Sequence, residues 1–238
     1  FAEKCTNLYR AIANQRRVLI CGNVTKYLNF VFVPNNSIFT ANLFVFDIHT
    51  WEEFLVLQST IHETFARKYS STLETRLSYS PRDAFVPFPF PNDYSNLEKK
   101  GESYHEYRGQ IMITRQEGLT ATYNRFHNPK EKSTDFVRLR ELHIEMDNAV
   151  AAAYGWDDLD LGHGFHETPQ GVRFTISEKA RREVLARLLQ LNHERYEEEV
   201  RQGLHEKDKK KTKTGQPARQ KPKNLAQPEG QMNLLAEP

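Results

Sequence analysis

The chain has 238 residues, 38% hydrophobic and 27% charged, with fifteen Phe, ten Tyr and a formal net charge of +2. That supply of apolar and aromatic side chains excludes a chain disordered throughout, and the lack of any run of about eighteen apolar residues excludes a membrane-spanning helix. Phe1-Ala2-Glu3-Lys4 lacks the basic-then-apolar pattern of a secretory signal, and Cys5 and Cys21 have neither metal-ligand spacing nor disulfide density, so a reducing, cytoplasmic location with no membrane partner is expected.

In chain order, β-rich runs at 17–21, 29–33 and 42–47 predict strands, two of them separated by the turn residues Pro34-Asn35-Asn36-Ser37. Thr50-Trp51-Glu52-Glu53 matches a capping box, and Phe54, Leu57, Ile61 and Phe65 follow at helical spacing, which predicts a single helix over 51–69. The chain then extends through Arg76 to Tyr79 into a strap, Tyr79 to Pro91, that holds four prolines and three phenylalanines in thirteen residues. Each proline locks its own torsion and pushes its predecessor toward extended geometry, so the strap is expected to be fixed, extended and buried, presenting Phe85, Val86, Phe88 and Phe90. Its composition is compatible both with simple closure of a core and with a family signature.

From about Tyr94 the pattern turns helical. Tyr104, Tyr107, Ile111, Leu119, Tyr123 and Phe126 form an irregular stripe interrupted by Gly101, Gly109 and Gly118, and Asn128-Pro129 breaks it. A helix over 134–154 has Leu139, Leu142, Met146, Ala149, Val150 and Ala153 on its apolar face, with Gly155 as its stop. An aromatic and acidic loop (156–165) leads to a short strand at 172–176, and Ser177 with Glu178 caps a last helix to about Val200. Residues 201–223 carry nine basic and two acidic side chains, and the run from Lys207 to Lys223 has too few apolar residues to form a core. The expected fold class is α+β. A β-rich domain with a packed helix (1–92) precedes a mainly α-helical region (93–204) and a disordered basic tail (205–238).

Catalytic patterns are weak. Gly162-His163-Gly164 lacks the third glycine and preceding strand of a nucleotide-phosphate loop. His163, His166 and Asp160 lack a fourth metal partner and any periodic presentation. Asp93 with Glu98-Lys99-Lys100 only superficially echoes a nuclease metal motif, and no serine or cysteine sits in a nucleophile motif. Neither a catalytic residue nor a metal or cofactor site is expected in this chain. What remains is the β-rich unit with Arg16, Arg17, Lys26, Arg67, Lys68, Arg76 and Arg82 interleaved with Tyr27, Tyr69 and Tyr79. Such a mixture suits phosphate contact with base-edge readout. It equally suits a solvated surface whose Arg stems pack on aromatics, with Glu63, Glu74 and Asp83 available to pair with the arginines.

Several segments together carry a resemblance. Leu57-Gln58-Ser59-Thr60-Ile61-His62-Glu63, Phe65-Ala66-Arg67, and Arg76 to Phe85 ending in Phe88-Pro89-Phe90-Pro91 resemble the target-recognition domain of bacterial adenine-specific DNA methyltransferases, with a TaqI-like specificity domain. Leu119-Thr120, Tyr123 to His127, Leu139 to His143 with Met146-Asp147, and Tyr154 to Leu161 resemble the helical C-terminal end of the same large type II methylase subunits. The likeness spans about residues 15 to 204. It implies double-stranded DNA as partner, the seven basic residues above as DNA contacts, and a restriction-modification or phage-defence setting. The S-adenosylmethionine loop and the Asn-Pro-Pro-Tyr motif of that family do not occur here; the only Asn-Pro, Asn128-Pro129, continues with Lys130. Together with the absence of an initiator Met, this implies an S-adenosylmethionine-binding methyltransferase domain earlier in the same parent chain. The alternative is a stand-alone specificity subunit working with a separate catalytic chain.

Overall fold

A computed structural model describes residues 8–204; the expected basic tail lies outside the described residues. The fold is mixed α+β. Strands β1 (Arg17–Gly22), β3 (Phe30–Pro34) and β4 (Leu43–Phe46) form an antiparallel sheet in the order β3-β1-β4. Val18 and Leu19, fully buried on β1, and the buried ends Phe30 and Phe46 of its neighbours seat this sheet on the core. A short β2 (Val24–Thr25) leaves it to pair with β6 (Arg76–Ser78), which also pairs with β5 (Ser71–Leu73).

The helix expected over 51–69 is two helices, α1 (Trp51–Gln58) and α2 (Thr60–Tyr69), separated at Ser59, whose backbone is extended. Ser59 is the reason. Its hydroxyl donates to the Val56 carbonyl at 2.7 Å and accepts from the His62 N–H at 3.3 Å, so one side chain closes the first helix and caps the second. At the start of α1 the Thr50 hydroxyl accepts from the Glu53 N–H, the capping half of the box expected from the sequence, while the Glu53 carboxylate accepts from the Thr50 hydroxyl at 2.7 Å in place of the Thr50 backbone N–H.

The strap departs from the extended form expected. Residues Pro81–Phe85 wind into one wide helical turn in which the Val86 N–H bonds the Pro81 carbonyl at 2.9 Å, and Val86 is 76% exposed. Pro81 supplies a helix-compatible torsion at the start of the turn, and Ser80 fixes it through a 2.6 Å hydrogen bond to Asp83. Beyond the turn Phe88 is buried, with its ring 4.5 Å from the His62 ring and 5.4 Å from Phe65. Prolines leave this stretch short of donors, and its carbonyls serve as acceptors instead. Pro87 accepts from Asn192, Pro89 from the Tyr154 hydroxyl and Phe90 from Arg195, at 2.6 to 2.9 Å.

Helix α3 (Glu98–Arg115) crosses α1 where Gly101 meets the Trp51 carbonyl; a methyl at position 101 would stand 2.3 Å from that oxygen. It ends at Gln116, which adopts a left-handed backbone, and α4 (Leu119–Phe126) follows. Helix α5 (Thr134–Ala153) matches its prediction and stops before Gly155 at φ 74°. The loop expected to run into a lone strand is instead a hairpin, β7 (Gly164–Thr168) against β8 (Gly171–Thr175). Gly164 to Thr168 carry one small and several polar residues, which hides the strand, while Gly171 at φ 90° makes the turn that creates it. Helix α6 (Glu178–Arg201) is capped by the Ser177 hydroxyl, which accepts from the Ala180 N–H.

One hydrophobic core runs without interruption from Leu19 on β1 to Leu188 on α6, so the β-rich and helical segments pack as one body across position 92. The described residues through Arg195 form one compact unit, and from Tyr196 onward they belong to a second. No helix among the described residues is long and apolar enough to cross a membrane.

Candidate functional site

A polar chain threads the core beneath the site. Arg108 on α3 is 2% exposed and donates to the Phe30 carbonyl at 2.7 Å, to Gln58 at 3.1 Å and to the Tyr123 hydroxyl at 3.3 Å. Tyr123 meets Tyr104, Tyr104 meets His143, and His143 lies 2.9 Å from the Thr60 hydroxyl. Asp147, wholly buried, accepts from the Thr60 N–H at 2.8 Å and from His163 at 2.9 Å. Burial alone would raise the Asp147 carboxyl, but the His143 and His163 rings and the Thr60 N–H reverse this and hold it below the ordinary carboxylate range. These bonds join residues of α1 through α5 and fix the helices around one another.

The histidines weighed as metal ligands are spent in the same way. His163 is held by Asp147 and His166 by the Gly162 carbonyl at 2.9 Å, while Asp160 accepts from the Gly162 N–H. Gly162 to Gly164 leads into β7, not into a helix N-terminus. Among the described residues no group of three or more His, Cys, Asp and Glu side chains is placed to hold a metal.

Above the network opens a cleft of about 330 Å³. Its floor is α2, through Thr60, Glu63, Thr64 and Arg67, and Tyr27 and His127 form one wall. The β7–β8 turn with Arg173 and the first turn of α6 with Arg181 form the other. His127 is the C-terminal cap of α4; its Nδ1 accepts from the Phe174 N–H at 3.1 Å, so Nε2 carries the proton of a neutral ring. Burial, aided by the Arg173 charge, holds it well below its ordinary pKa.

Two guanidinium groups set the character of the cleft. Arg67 binds Glu63 through Nε and Nη2, and its Nη1 is buried without a partner. Arg173 is 8% exposed, lies 4.3 Å over the Tyr27 ring, and its Nε is likewise buried and unpartnered. Burial pulls the Arg173 guanidinium below its ordinary pKa, with Tyr27 and Glu63 opposing and Arg67 reinforcing the effect. Arg181 and Glu178, by contrast, satisfy each other at 2.8 Å.

Of the basic residues singled out in the sequence, Arg67 lines the cleft and Lys26 stands beside it, with Nζ 2.7 Å from Asn124 and next to the lining residue Tyr27. The β2–β6 register pairs Val24 with Ser78 and Thr25 with Leu77, so its next positions outward are Lys26 and Arg76, both exposed. Lys68 and Arg82 are exposed on the end of α2 and on the strap's turn. Arg16 is exposed at the head of β1. Arg17 is sandwiched between the Phe32 and Trp51 rings, at 4.0 and 3.8 Å, and donates to the His49 carbonyl at 2.9 Å, a packing role. Of the acids weighed as partners, Glu63 pairs with Arg67, while Asp83 bonds Ser80. Sequence reasoning missed His127 and Arg173. Arg173 alternates with the apolar Val172 and Phe174 on β8, and only the hairpin's long-range packing brings it to Tyr27.

No protein-family model matches the chain, and no curated protein does. Among solved structures the chain is similar to the Type IIL restriction-modification enzyme MmeI in complex with DNA, at 20% identity and a TM-score of 0.49. The likeness covers 76% of this chain and 21% of that one, so the chain spans about a fifth of that enzyme's length.

Proposed function

We propose that this chain is the DNA-reading and C-terminal helical region of an S-adenosylmethionine-dependent adenine-N6 DNA methyltransferase of a restriction-modification or phage-defence system. In this reading its partners are double-stranded DNA and a methyltransferase domain of the same parent chain, which holds the cofactor. The observation that carries the reading is the pair Arg67 and Arg173 lining one cleft, with exposed Lys26 beside the lining residue Tyr27 and exposed Arg76 next to Lys26 by extension of the β2–β6 register. A base methylated inside a duplex must first leave the stack, so the catalytic domain needs a second body that grips the backbone and selects the site. Phosphate contacts set register and base-edge contacts set sequence. Arg16, Lys68 and Arg82 are exposed and extend the proposed contact set; Arg17 supports the fold beneath it.

Selection from a randomised duplex library tests the reading. Enrichment of a common short motif is the expected result, and retention of duplexes without any shared motif would reduce the chain to a non-specific binder. Sequencing the reading frame upstream of Phe1 tests the enzyme assignment: continuous coding into an Asn-Pro-Pro-Tyr motif supports it, and a start codon at the domain edge points to a separate specificity subunit.

A further inference from the structure

We infer that the cleft between α2 and the β7–β8 hairpin is a phosphate-binding site, gripped by Arg173 and Arg67. Only 8% of Arg173 is exposed, and its guanidinium forms no ion pair among the described residues. A buried cation without a counter-ion is costly, and stacking on Tyr27 offsets only part of that cost. Arg67 adds a second buried donor, Nη1, that no protein acceptor reaches, although Glu63 holds the rest of its fork. The two donors belong to different elements, α2 and β8, and both residues line the cleft. A tetrahedral oxyanion accepts from both, whereas a flat carboxylate is matched by one fork. The volume of about 330 Å³ also exceeds what a carboxylate fills and falls in the range of small-ligand sites. The neighbouring Arg181 is paired with Glu178, which leaves Arg173 as the cleft guanidinium without an ion-pair partner among the described residues, with Glu63 acting on it only at longer range.

The phosphate has two sources with the same chemistry, a DNA backbone diester or the terminal phosphate of a small nucleotide. The backbone arm rests on the function proposed above; the nucleotide arm does not. Thermal unfolding of the full 238-residue chain is measured in sodium phosphate against sodium chloride at matched ionic strength, then with a 5′-phosphorylated dinucleotide against its dephosphorylated form. The inference predicts a rise in Tm in phosphate and with the phosphorylated dinucleotide only. Arg173→Gln abolishes the rise, and Arg173→Lys, which keeps the charge but loses the fork, weakens it by about tenfold in ligand concentration. A wild-type Tm unmoved by both phosphate ligands, together with a duplex-binding salt slope unchanged in Arg173→Gln, overturns the site.

The same salt slope distinguishes the sources. A loss of about one unit in Arg173→Gln assigns the phosphate to the DNA backbone, while a Tm rise with an unchanged slope assigns it to a free phosphate ester. A Tm rise in a chain that binds no duplex keeps the site and removes the DNA-reading function; duplex binding with neither effect does the reverse.

Discussion

Replacing Phe88 by Ala tests whether the proline strap closes the core or reads a ligand. The side chain is 5% exposed and its ring touches three others: His62 at 4.5 Å, Phe90 at 5.2 Å and Phe65 at 5.4 Å, with edge-to-face geometry throughout. Truncation removes the transfer energy of the ring and leaves a cavity walled by α2 on one side and the strap on the other. The carbonyls of Pro87, Pro89 and Phe90 are tied to α5 and α6, so the strap cannot readily collapse into the gap. The loss should therefore sit in the upper part of the usual range for Phe to Ala, about 3 to 5 kcal/mol. With a urea slope of about 2 to 3 kcal/mol/M, the unfolding midpoint should fall by roughly 1.5 M. A loss under about 1 kcal/mol, or weakened duplex binding at an unchanged midpoint, would refute the reasoning and move the strap from the core to the ligand face.

Acid should destabilise the protein early. Burial holds His62 down to about 3 and His105 down to about 4, with Arg108 and Arg17 adding to the latter. Because the folded values lie below the unfolded value of about 6.5, the stabilisation is complete above that pH and is lost as pH falls toward the folded values; His62 alone should remove about 2 kcal/mol between pH 6.5 and 5. A urea midpoint that is constant from pH 7 to 5 would contradict this. Two glycines of α3 should respond with opposite signs. Gly101→Ala gains about 1 kcal/mol of helix propensity but drives a methyl against the Trp51 backbone and should lose a net 1 to 2 kcal/mol, roughly, whereas Gly109→Ala meets open space and should stabilise by up to about 1 kcal/mol. Arg140 donates to the carbonyls of Phe126, Arg125, Asn128 and Glu131 at 2.9 to 3.1 Å. Arg140→Met leaves these acceptors without that donor and should cost at least about 2 kcal/mol in calorimetry; a neutral result would mean that water replaces the guanidinium without penalty.

What local chemistry dictates was readable from the chain. β-branched and aromatic runs place β1, β3 and β4 within a residue or so, the Thr50-Glu53 box starts α1, and the stripe from Leu139 to Val150 defines α5. Two of the misses depend on a competition between partners. Ser59 falls between Leu57 and Ile61 of an apolar helical stripe that predicts continuity, yet its hydroxyl bonds both flanking turns and splits the helix. The strap's prolines predict extension, but Pro81 at the head of a turn with a Ser80–Asp83 bond is equally at home in a helical winding. The cleft was half visible. Arg67 stands out beside Glu63 on α2, while Arg173 and His127 reach it only through contacts about 50 to 150 residues distant in sequence, between β8, α4 and the β2–β3 loop.

The central claim, that the folded surface around the cleft grips DNA, is tested most directly by the salt dependence of duplex binding in the chain shortened to residues 1–204. If Lys26, Arg76 and Arg173 each neutralise a phosphate, log Kobs should fall with log salt at a slope of about −3 or steeper, and removing residues 205–238 should leave that slope in place. Absence of binding at about 50 mM salt, or a slope that vanishes with the tail, would contradict the account.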